Sequence, residues 1–546
     1  MSRRVVFMLE APGKRQYASM SLRQIAERAQ DEYQDFRVFA TGGHIIAQPQ
    51  GLHPLHITPD LKETGLHILN PQRIEHLFDI AVDADEVWIA TDPDVEGDLI
   101  ATDIQTIFET RFGACCPPLW RVRPLGLDVE SLQEAIETRE RIDHAFQSAR
   151  IPGVARRIAD RLIGALLSRG GIAAGRVQSA ILGLCAIRAL PTWRARLVMR
   201  DSKATRLVCD VYATDDERRE IDQSMASWRE GGAHAKWDAE PEPTGSHAHD
   251  GAVRLLDGGS ALLEVATSTG KPVHEVAQGF QRLYEAGQLS YWRSDSRYVL
   301  PKTARALHSA AQAYGITVDP EALLAPGCQQ RDARNQGAHE APHPVHWGLP
   351  LHLRLSQVTP DDAMLTALAR HQIEASASPA PDTRPSGAAL AQLPEPLRRL
   401  GWVSGRRARP MPWGSDRRSP QCNGDDWQAV PQDRALLRRI LDAQLGRPGT
   451  YVGHIEKFID RELIDERGLI TERGEQWAQA IRSRAPALLD VETAVRMEAI
   501  LLGGSDRDIH GRVADALEPL YGSDGDLDDF IRRCSAGRLS EMVAQG

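Results

Sequence analysis

The sequence predicts a multidomain protein with an N-terminal α/β layer, followed by α-helical and β-rich domains. Its 546 residues exceed one ordinary core and are typical of roughly three or four domains. Short apolar runs at Arg4–Glu10, Phe36–Ala40 and Glu86–Ala90 alternate with helical periodicity, which is the pattern of a parallel sheet. Ligands of such sheets bind at the carboxyl ends of the strands, where Glu10 and Asp92 fall.

Apolar periodicity and turn residues assign the remaining elements in chain order. The stretch from Val129 to Arg188 is helical, and residues 195–256 contain β-strands followed by a polar loop. An irregular stretch up to Asp426 is a linker or part of a β-domain, and GLITERG (468–474) is a small β-wing. Further helices are predicted at Ala18–Gln30, Gly259–Gly287, Lys302–Gly315, Asp361–Glu374, Arg434–Gln444, Tyr451–Arg461 and Thr493–Leu501.

Composition excludes several classes of protein. Hydrophobic residues make up 42% and charged residues 26%, a globular balance rather than a disordered one. No apolar run reaches the length of a membrane span, and MSRRVVFMLEAPGK lacks the features of a signal peptide. The seven cysteines form no C-x-x-C pattern, so we expect buried thiols rather than a zinc ribbon or a disulfide framework. A cytosolic protein is therefore expected.

Basic residues are concentrated in one part of an acidic chain. The net charge of −10 argues against nucleic acid, but twelve Lys or Arg and only two acids lie between Arg150 and Arg206. Such a stripe suits a phosphate backbone, which arginine contacts in a bidentate manner. The alternative is a solvated face of an Arg-rich helix. A second basic cluster comprises Arg398, Arg399, Arg406, Arg407 and Arg409.

An acidic loop follows the strand Glu86–Ala90. Asp92, Asp94, Glu96 and Asp98 fall within seven residues, and repulsion between such carboxylates raises at least one pKa. A divalent cation with oxygen ligands, such as Mg²⁺, would offset that repulsion. Glu10 would join the cluster from a neighbouring strand. The alternative is a solvated acidic turn.

The segment GQLSYWRSDSRYVL (287–300) places a phenol beside a guanidinium. A phenol with a pKa of about 10 is a weak nucleophile, so attack by Tyr291 on a phosphate requires that the phosphate charge be screened. Arg293 and a basic residue such as Lys14 could provide that screening, although a lone lysine after a turn is more often merely exposed. The alternative for Tyr291 is a buried amphipathic ring, and we expect that packing role for Tyr298.

Seven segments, in this order along nearly the whole chain, resemble the motifs of the type IA DNA topoisomerases. They are MLEAPGK, ATGGHI, ATDPDVEGDLIA, the pair ARRIADRLIGALLS and AAGRVQSAIL, LYEAGQLSYWRSDSRYVL, GAHEAPHPV and GRPGTY. The resemblance is to a short form, because no cysteine-rich zinc module occurs in the sequence.

The resemblance implies a toroid with an N-terminal, Rossmann-like Toprim domain. In that fold residues 1–128 form the Toprim domain, 129–194 and 430–546 a helical DNA-binding domain, and 195–256 and 378–429 a β-rich arch. Residues 257–377 would form a helical cap that carries Tyr291.

The resemblance also implies a role for each site residue. Tyr291 would attack a DNA phosphate and form a 5′-phosphotyrosyl bond, assisted by Arg293, Glu10 and Lys14. Asp92, Asp94, Glu96 and Glu10 would bind Mg²⁺. Contacts to the cleaved single strand are expected from Arg157, Arg161, Arg176, Gln178 and His339.

The implied activity is ATP-independent strand cleavage, passage and religation. RSDSRYVLP resembles topoisomerase III and GAHEAPHPV resembles topoisomerase I, so the resemblance implies decatenation, relaxation of negative supercoils, or both. The expected substrate is the single-stranded part of duplex DNA in the cytoplasm at the nucleoid, with no membrane and no ATP. We expect a monomer, with a helicase or a single-strand-binding protein as its partner.

Departures from the family pattern leave two alternatives open. Val95 stands where the acidic loop of the family has Arg, and Asp98 where it has Glu; Ala173 and Trp292 depart from two further motifs. One alternative is a catalytically impaired homologue that binds single-stranded DNA. The other is a Toprim metal-dependent nuclease or nucleotidyl transferase that does not use Tyr291.

Overall fold

The structure is a computed structural model of the chain. It describes residues 3–29, 33–124, 126–143, 145–168, 172, 175–200, 206–230, 255–325, 339–377, 390–391, 393–400, 402–405, 421–422, 427–503, 507–522 and 525–536. The predicted polar loop beyond residue 230, the basic residues at 406–409 and Ala173 lie outside this part of the chain. Within it, no helix has the length and apolar character needed to cross a membrane.

The described strands and helices are numbered in chain order. The strands are β1 (Arg3–Leu9), β2 (Tyr33–Ala40), β3 (Ile46–Ala47), β4 (His67–Ile68), β5 (Glu86–Ala90), β6 (Leu119–Arg121), β7 (Glu140–Arg141), β8 (Trp193–Arg200), β9 (Arg206–Ala213), β10 (Val403–Gly405), β11 (Gln421–Cys422) and β12 (Gln428–Ala429). The helices with described bounds are α1 (Arg15–Arg28), α2 (Pro71–Ala81), α3 (Val95–Phe112), α4 (Val129–Glu137), α5 (Ile151–Leu167), α6 (Arg176–Ile187), α7 (Asp215–Glu230), α8 (Gly258–Thr269), α9 (Val273–Glu285), α10 (Pro301–Gln312), α11 (Pro320–Leu324), α12 (Pro360–Ser376), α13 (Glu395–Arg398), α14 (Gln432–Asp442), α15 (Pro448–Asp460), α16 (Glu472–Arg484), α17 (Val491–Leu502), α18 (Ile509–Tyr521) and α19 (Leu527–Ala536).

The N-terminal sheet is mainly parallel, as the sequence predicts. Its strand order is β2-β1-β5-β6-β7, and only β7 runs antiparallel to its neighbour. Val5 to Leu9 of β1 are at most 1% exposed because helices cover both faces of the sheet. Pairing of β1 with β5 aligns Leu9 with Ala90, so Glu10 and the acidic loop leave the same edge.

The N-terminal layer extends beyond the boundary predicted at residue 128. Helix α4 buries Leu132 and Ile136 in the same core as Val5 and Phe7, and β7 ends the sheet. The helical periodicity that begins at Val129 therefore belongs first to this layer. The helical region that follows starts with α5.

A second sheet joins two distant parts of the chain. β8 and β9 form an antiparallel pair, and β10, β11 and β12 add to them from the segment before α14. The chain therefore enters this sheet twice, first with β8 and β9 and again with β10, β11 and β12. The division into four domains stays a prediction.

Most of the remaining helices share one continuous core. Leu162 of α5, Leu262 of α8, Leu437 of α14 and Leu517 of α18 are fully buried in it. The region that carries Tyr291 has a second core of its own around Leu307 and Ile373. Helices α8 and α9 thereby connect the segment that carries Tyr291 to the C-terminal helices.

Three local predictions are wrong. Residues 215–230 form helix α7 rather than part of a β-region or loop. The proposed β-wing contains only a single bridge between Ile464 and Ile470, because Thr471 caps helix α16 by accepting a hydrogen bond from the Gly474 amide. Cys115 is exposed rather than buried, whereas Cys185, Cys209 and Cys534 are buried as predicted.

Candidate active site

The acidic loop is a tight connection between β5 and α3. Asp94 is the N-cap of α3, and its Oδ1 accepts a hydrogen bond of 2.8 Å from the Gly97 amide, as N-cap aspartates commonly do. A Cβ atom on Gly97 would lie 1.8 Å from the Asp92 carbonyl oxygen. Only glycine therefore allows the backbone to approach this closely.

A buried arginine, Arg121, holds this loop through hydrogen bonds to its backbone. The Arg121 side chain is fully buried, and it donates hydrogen bonds of 2.8 Å to the carbonyl oxygens of Thr91 and Asp92. Its Nε also lies 2.8 Å from Oδ1 of Asp98, which Arg123 contacts at 3.1 Å. Asp98 therefore anchors the loop to the sheet through Arg121 and Arg123.

Lys14 and Asp92 form a buried ion pair. The Lys14 Nζ is 2.8 Å from Asp92 Oδ1, and the residue is only 3% exposed. The same Nζ also bonds to the Tyr284 hydroxyl, which lies 3.4 Å from Asp92 Oδ1. Burial opposes ionisation of Asp92, but the charge and hydrogen bond of Lys14 outweigh it and lower the pKa of this carboxyl. Lys14 is therefore buried, and the alternative of an exposed lysine after a turn does not apply to it.

Glu10 and Asp94 form no ion pair with a basic residue in the described part of the chain, and the pKa values of both carboxyls are raised. Burial and the charges of Asp92 and Asp94 raise the pKa of Glu10 from 4.5 to about 7. Burial and the charge of Asp92 raise the pKa of Asp94 from 3.8 to about 6. Near neutral pH, Glu10 is therefore partly protonated while Asp94 is mostly ionised.

Glu96 is directed toward a different set of partners. Its carboxylate lies 3.0 Å from His44 Nε2 and 2.6 Å from Arg156 Nη1. Burial opposes ionisation of Glu96, but the His44 hydrogen bond and the Arg156 charge outweigh it and lower its pKa. The hydrogen bond to Glu96 in turn raises the pKa of His44.

The four expected metal ligands are not assembled into one cluster. Within the described part of the chain, no three Asp, Glu, His or Cys side chains are spaced as a metal-binding group. Asp92 is paired with Lys14, and Glu96 with His44 and Arg156. Glu10 and Asp94 remain, and two carboxylates with raised pKa values are a donor set that fits Mg²⁺ completed by water and phosphate oxygens.

Tyr291 is held on a segment that pairs with a second loop. The Leu289 backbone bridges to Pro344, the Ser290 amide donates to the His343 carbonyl at 3.0 Å, and Ser290 Oγ accepts from the His343 amide at 2.9 Å. The segment begins at Gly287, whose φ of 69° favours glycine. The two segments therefore carry Tyr291 and His339 to the same place.

The Tyr291 hydroxyl faces the acidic loop. It lies 3.5 Å from Asp94 Oδ2, and its ring stacks on His339 with a centroid distance of 3.9 Å. The residue is 9% exposed. Burial and the charges of Asp94 and Asp92 raise its pKa well above 10, so the phenol is protonated and needs a base before it can attack.

Arg293 follows Tyr291 by two residues and has one hydrogen-bond donor without a partner among the described residues. Its Nη2 donates to Gln281 Oε1 at 3.0 Å, and its guanidinium stacks on Trp292 at 5.1 Å. Its Nε is buried without a hydrogen-bond partner among the described residues. The positive charge of Arg293 is also felt by Tyr291, whose pKa it lowers against the larger effect of burial.

Two cavities meet at Tyr291. The smaller one, which we term the carboxylate cavity, has a volume of about 200 Å³ and is lined by Glu10, Asp92, Tyr291 and Arg293 among others. The larger one, which we term the ring cavity, has a volume of about 350 Å³ and lies between the N-terminal layer and the segments around Tyr291 and His343. The carboxylate cavity brings together the expected nucleophile Tyr291, the cationic Arg293 and two of the acids selected from the sequence, Glu10 and Asp92.

The five expected DNA contacts have different surroundings. Arg157 pairs with Glu63 at 2.5 Å, and Arg161 donates to backbone oxygens, including that of Gly51 at 2.8 Å. Arg176 is 3% exposed between Glu498 and Asp160. His339 lies at the nucleophile, and Gln178 lines a small cavity beside Phe458 and Trp477. Their contact with DNA stays a prediction, because the three arginines are already paired within the protein.

Several residues of the site were not selected from the sequence. They are Tyr284, which contacts Lys14 and Asp92; Gln281, which holds Arg293; Arg121, which fixes the acidic loop; and His44 and Arg156, which pair with Glu96. Tyr284 and His44 occur inside quoted motifs, LYEAGQLSY and ATGGHI. Arg121 could have been selected from the sequence, because it is the lone charged residue in the apolar run LWRV.

Comparison with known proteins agrees with this geometry. Residues 19–122 match the model of the Toprim domain. The chain is 24% identical over 380 residues to DNA topoisomerase 1 of Synechocystis sp., covering 56% of this chain and 38% of that protein. It is 23% identical over 482 residues to DNA topoisomerase 1 of Pasteurella multocida, covering 78% of this chain and 53% of that protein.

The fold is also that of a solved relative. Full-length topoisomerase I from Thermotoga maritima superposes with a TM-score of 0.58 at 18% identity, covering 98% of this chain and 90% of that one. The chain is a relative of the type IA DNA topoisomerases. The predicted combination of a Toprim α/β layer with further helical and β-rich parts is confirmed at the level of the fold.

This topoisomerase relative differs in extent from the curated proteins it matches. It spans between 19% and 53% of their length. Reverse gyrase 2 of Sulfolobus acidocaldarius is among them, at 26% identity over 282 residues, covering 49% of this chain and 22% of that protein. Each of these matches therefore covers only part of the matched protein.

Proposed function

We propose that this chain is an ATP-independent type IA DNA topoisomerase. It cleaves one DNA strand through a 5′-phosphotyrosyl bond on Tyr291, passes a strand through the break and rejoins it. The observation that carries the proposal is the placement of the Tyr291 hydroxyl 3.5 Å from Asp94, in one cavity with Glu10, Asp92 and Arg293. That set contains a nucleophile, proton carriers and a cation for the phosphate.

Each residue has a step in the cleavage reaction. Tyr291 Oη forms a bond to phosphorus while the bond between phosphorus and the 3′ oxygen breaks. Asp94, which is mostly ionised near neutral pH, accepts the proton of the phenol. Glu10, with a pKa of about 7, donates a proton to the departing 3′ oxygen.

Religation is the reverse of these steps. The 3′ hydroxyl attacks the phosphotyrosyl phosphorus, Glu10 takes back the proton, and Asp94 returns one to Tyr291. The phosphotyrosyl bond conserves the energy of the original ester, so the cycle needs no nucleotide triphosphate.

Positive charge on the protein offsets the charge of the phosphate. Arg293 has an Nε without a partner among the described residues, and donors fixed before the reaction stabilise charge that develops in the transition state. Lys14 acts through its ion pair with Asp92. Its positive charge partly cancels the charge of that carboxylate and so weakens the repulsion between Asp92 and the phosphate. Arg293 is therefore the direct phosphate contact and Lys14 a positioning residue.

Glu10 and Asp94 would hold Mg²⁺, with water and phosphate oxygens as its further ligands. The ion would supply further screening of the phosphate charge and fix the geometry of the strand at the break. Glu10 also lines the carboxylate cavity, which offers about 200 Å³ of space beside Arg293.

The DNA strand would reach the site through a neighbouring groove. A cavity of about 480 Å³ is lined by His44, Glu96, Arg156, Arg157 and Arg161. Phosphates could replace Glu63 and backbone carbonyls as partners of these arginines. On this proposal the enzyme acts as a monomer at the nucleoid, on single strands that a helicase or a single-strand-binding protein keeps open.

Plasmid relaxation tests the proposal. Wild-type protein with Mg²⁺ should relax negatively supercoiled DNA, and Tyr291→Phe should not. Tyr298→Phe is the matched control, because it removes a hydroxyl from a buried residue in the same segment. Relaxation by Tyr291→Phe at the wild-type rate would exclude Tyr291 as the nucleophile.

The same variants separate the alternatives. A Toprim nuclease or nucleotidyl transferase would cut or extend DNA equally well in Tyr291→Phe. If the chain is a catalytically impaired homologue, the wild-type protein and Tyr291→Phe would both bind single strands without cutting them. The raised pKa values of Glu10 and Asp94 favour an active site, because perturbed carboxylates cluster where proton transfer is needed.

A further inference from the structure

The ring cavity has features of a binding site that the cleavage reaction does not use. Its volume of about 350 Å³ falls within the range of about 300 to 1,000 Å³ that is common for small-molecule pockets. Seven flat rings line its wall. They belong to Tyr17, Tyr284, Tyr291, His339, His343, His346 and Trp347.

His339 lines this cavity and has unused hydrogen-bonding capacity. The residue is 5% exposed, and neither ring nitrogen has a hydrogen-bond partner among the described residues. Burial lowers its pKa to about 3, so the ring is neutral and offers one donor and one acceptor. Buried polar groups are almost always paired in folded proteins. The edge of a nucleobase carries donors and acceptors that would complete this pairing.

A second wall offers a surface for stacking. The rings of His343 and Trp347 are parallel to within 5°, with centroids 6.4 Å apart. His343 is held in place because its Nδ1 lies 2.8 Å from the Ala341 carbonyl oxygen and its amide donates to Ser290 Oγ. Trp347 is half-buried, so part of its ring is accessible. Aromatic rings bind unpaired bases of any sequence by stacking.

The charge of the lining favours a base over a phosphate. Two lysines and four carboxylates line the cavity, and both lysines are already engaged. Lys14 pairs with Asp92, and Lys302 lies 2.9 Å from Ser131 Oγ and 3.6 Å from Asp128. The remaining carboxylates are those of Glu130 and Glu340. An uncharged, flat ligand fits this wall, whereas a phosphate would meet net negative charge.

We propose that the ring cavity binds the base of the nucleotide that becomes attached to Tyr291. This inference rests on the proposed function. Tyr291 lines both cavities, so a phosphate joined to its hydroxyl in the carboxylate cavity has the base of the same nucleotide within reach of the other. The base stacks beside His343 and Trp347 and bonds to His339. The subsite thereby keeps the cut 5′ end aligned for religation.

The test is an abasic scan of a labelled single-stranded oligonucleotide. A single abasic position is moved from three nucleotides before the cleavage point to three nucleotides after it. The wild-type protein should form roughly 5- to 150-fold less covalent complex when the first position after the cleavage point is abasic. Trp347→Ala should show a loss on the intact strand, but no further loss when that position is abasic.

Two further variants keep the result interpretable. Trp347→Phe keeps a ring at this position and should retain the dependence on that base, even if Trp347→Ala proves unstable. Trp427→Ala removes a half-buried indole that bonds to Asp222 elsewhere, and it should leave the abasic profile unchanged.

The outcomes distinguish the subsite from the proposed function. If Trp347→Ala and the abasic position each reduced the amount of covalent complex independently, so that their fold-losses multiplied, the subsite would be overturned. The proposed cleavage reaction would be unaffected by that result. Equal losses at every abasic position would likewise overturn the subsite and leave the proposed cleavage reaction unaffected. If no oligonucleotide forms a covalent complex with the wild-type protein, the proposed function fails, and this inference fails with it.

Discussion

The hydroxyl of Tyr291 lies 3.5 Å from Oδ2 of Asp94, although 197 residues separate them in the chain. The other carboxylate oxygen of Asp94 accepts the Gly97 amide and caps helix α3. One side chain therefore fixes the start of a helix and faces the nucleophile. Its orientation at the nucleophile is set by the helix that it caps.

Substitution of Asp94 should separate these two roles. Asparagine also caps helices well, so Asp94→Asn should change the free energy of unfolding little but lower the cleavage rate by about 10²- to 10⁴-fold, the usual contribution of a general base. Asp94→Ala should lose the cap as well, at about 1 kcal/mol. Urea unfolding and single-turnover cleavage measure the two effects. Equal cleavage by Asp94→Asn and wild type would rule out Asp94 as the base.

A methyl group on Gly97 should disrupt the acidic loop. The added Cβ would lie 1.8 Å from the Asp92 carbonyl oxygen, which is backbone and has to move. Gly97→Ala should therefore abolish most cleavage and destabilise the fold. The control is Gly453→Ala in helix α15, where a Cβ meets nothing within 4 Å and alanine should add up to about 1 kcal/mol of stability. Wild-type cleavage by Gly97→Ala would contradict this account of the loop.

Removal of Lys14 should lower the free energy of unfolding, because Asp92 would remain buried without its ion-pair partner. Lys14→Met leaves Asp92 buried without its cation, which costs about 3–5 kcal/mol for such pairs. Adding Asp92→Asn should restore part of that loss, because no uncompensated charge remains. Lys302→Met, at a half-exposed lysine near Asp128, should cost less than about 1 kcal/mol. Equal stability of the single Lys14→Met and the double variant in urea would contradict the pairing.

Acid should destabilise the protein partly through Glu498. Burial opposes its ionisation, but the charges of Arg176 and Arg447 outweigh burial and lower its pKa from 4.5 to about 2. Because the folded-state pKa is depressed, the stabilisation is complete above pH 4.5 and is lost as the pH falls toward 2. The shift corresponds to about 3 kcal/mol.

Unfolding of Glu498→Gln between pH 5 and 2 measures that contribution. The free energy of unfolding of the variant should be lower than that of the wild type at pH 5, because Arg176 loses its buried partner. The difference between the two free energies should become smaller as the pH falls. Glu475→Gln is the control, since Glu475 is exposed near Arg482 and should leave the profile unchanged. A difference that stays constant with pH would contradict the ionised pair in the folded state.

Elements with a clear local pattern of apolar and turn residues could be predicted from the sequence. β1 and β5 are continuous apolar runs that end at turn residues, and the acidic loop follows β5 directly. Helix α7 was missed because its core face consists mainly of Ile221 and Met225, and its other residues are mostly polar. Strong polarity was interpreted as a loop, although acids in its first turn favour a helix.

The partners of the site residues could not be predicted from local pattern. Tyr284 reaches Lys14 across 270 residues, and Arg121 contacts a loop from a strand two elements later. The metal-ligand prediction treated four acids as equivalent, whereas His44 and Arg156 draw Glu96 away and Lys14 occupies Asp92. Such pairings depend on the packing of domains, which sequence spacing does not encode.

Location of the covalent bond tests the central claim most directly. An oligonucleotide is labelled at either its 5′ or its 3′ end, incubated with the protein and Mg²⁺, denatured, and resolved on a gel. The account predicts that only the 3′ label migrates with the protein and that mass spectrometry of the digested adduct finds the nucleotide on Tyr291. Attachment of the 5′ label, or an adduct on any other residue, would contradict it.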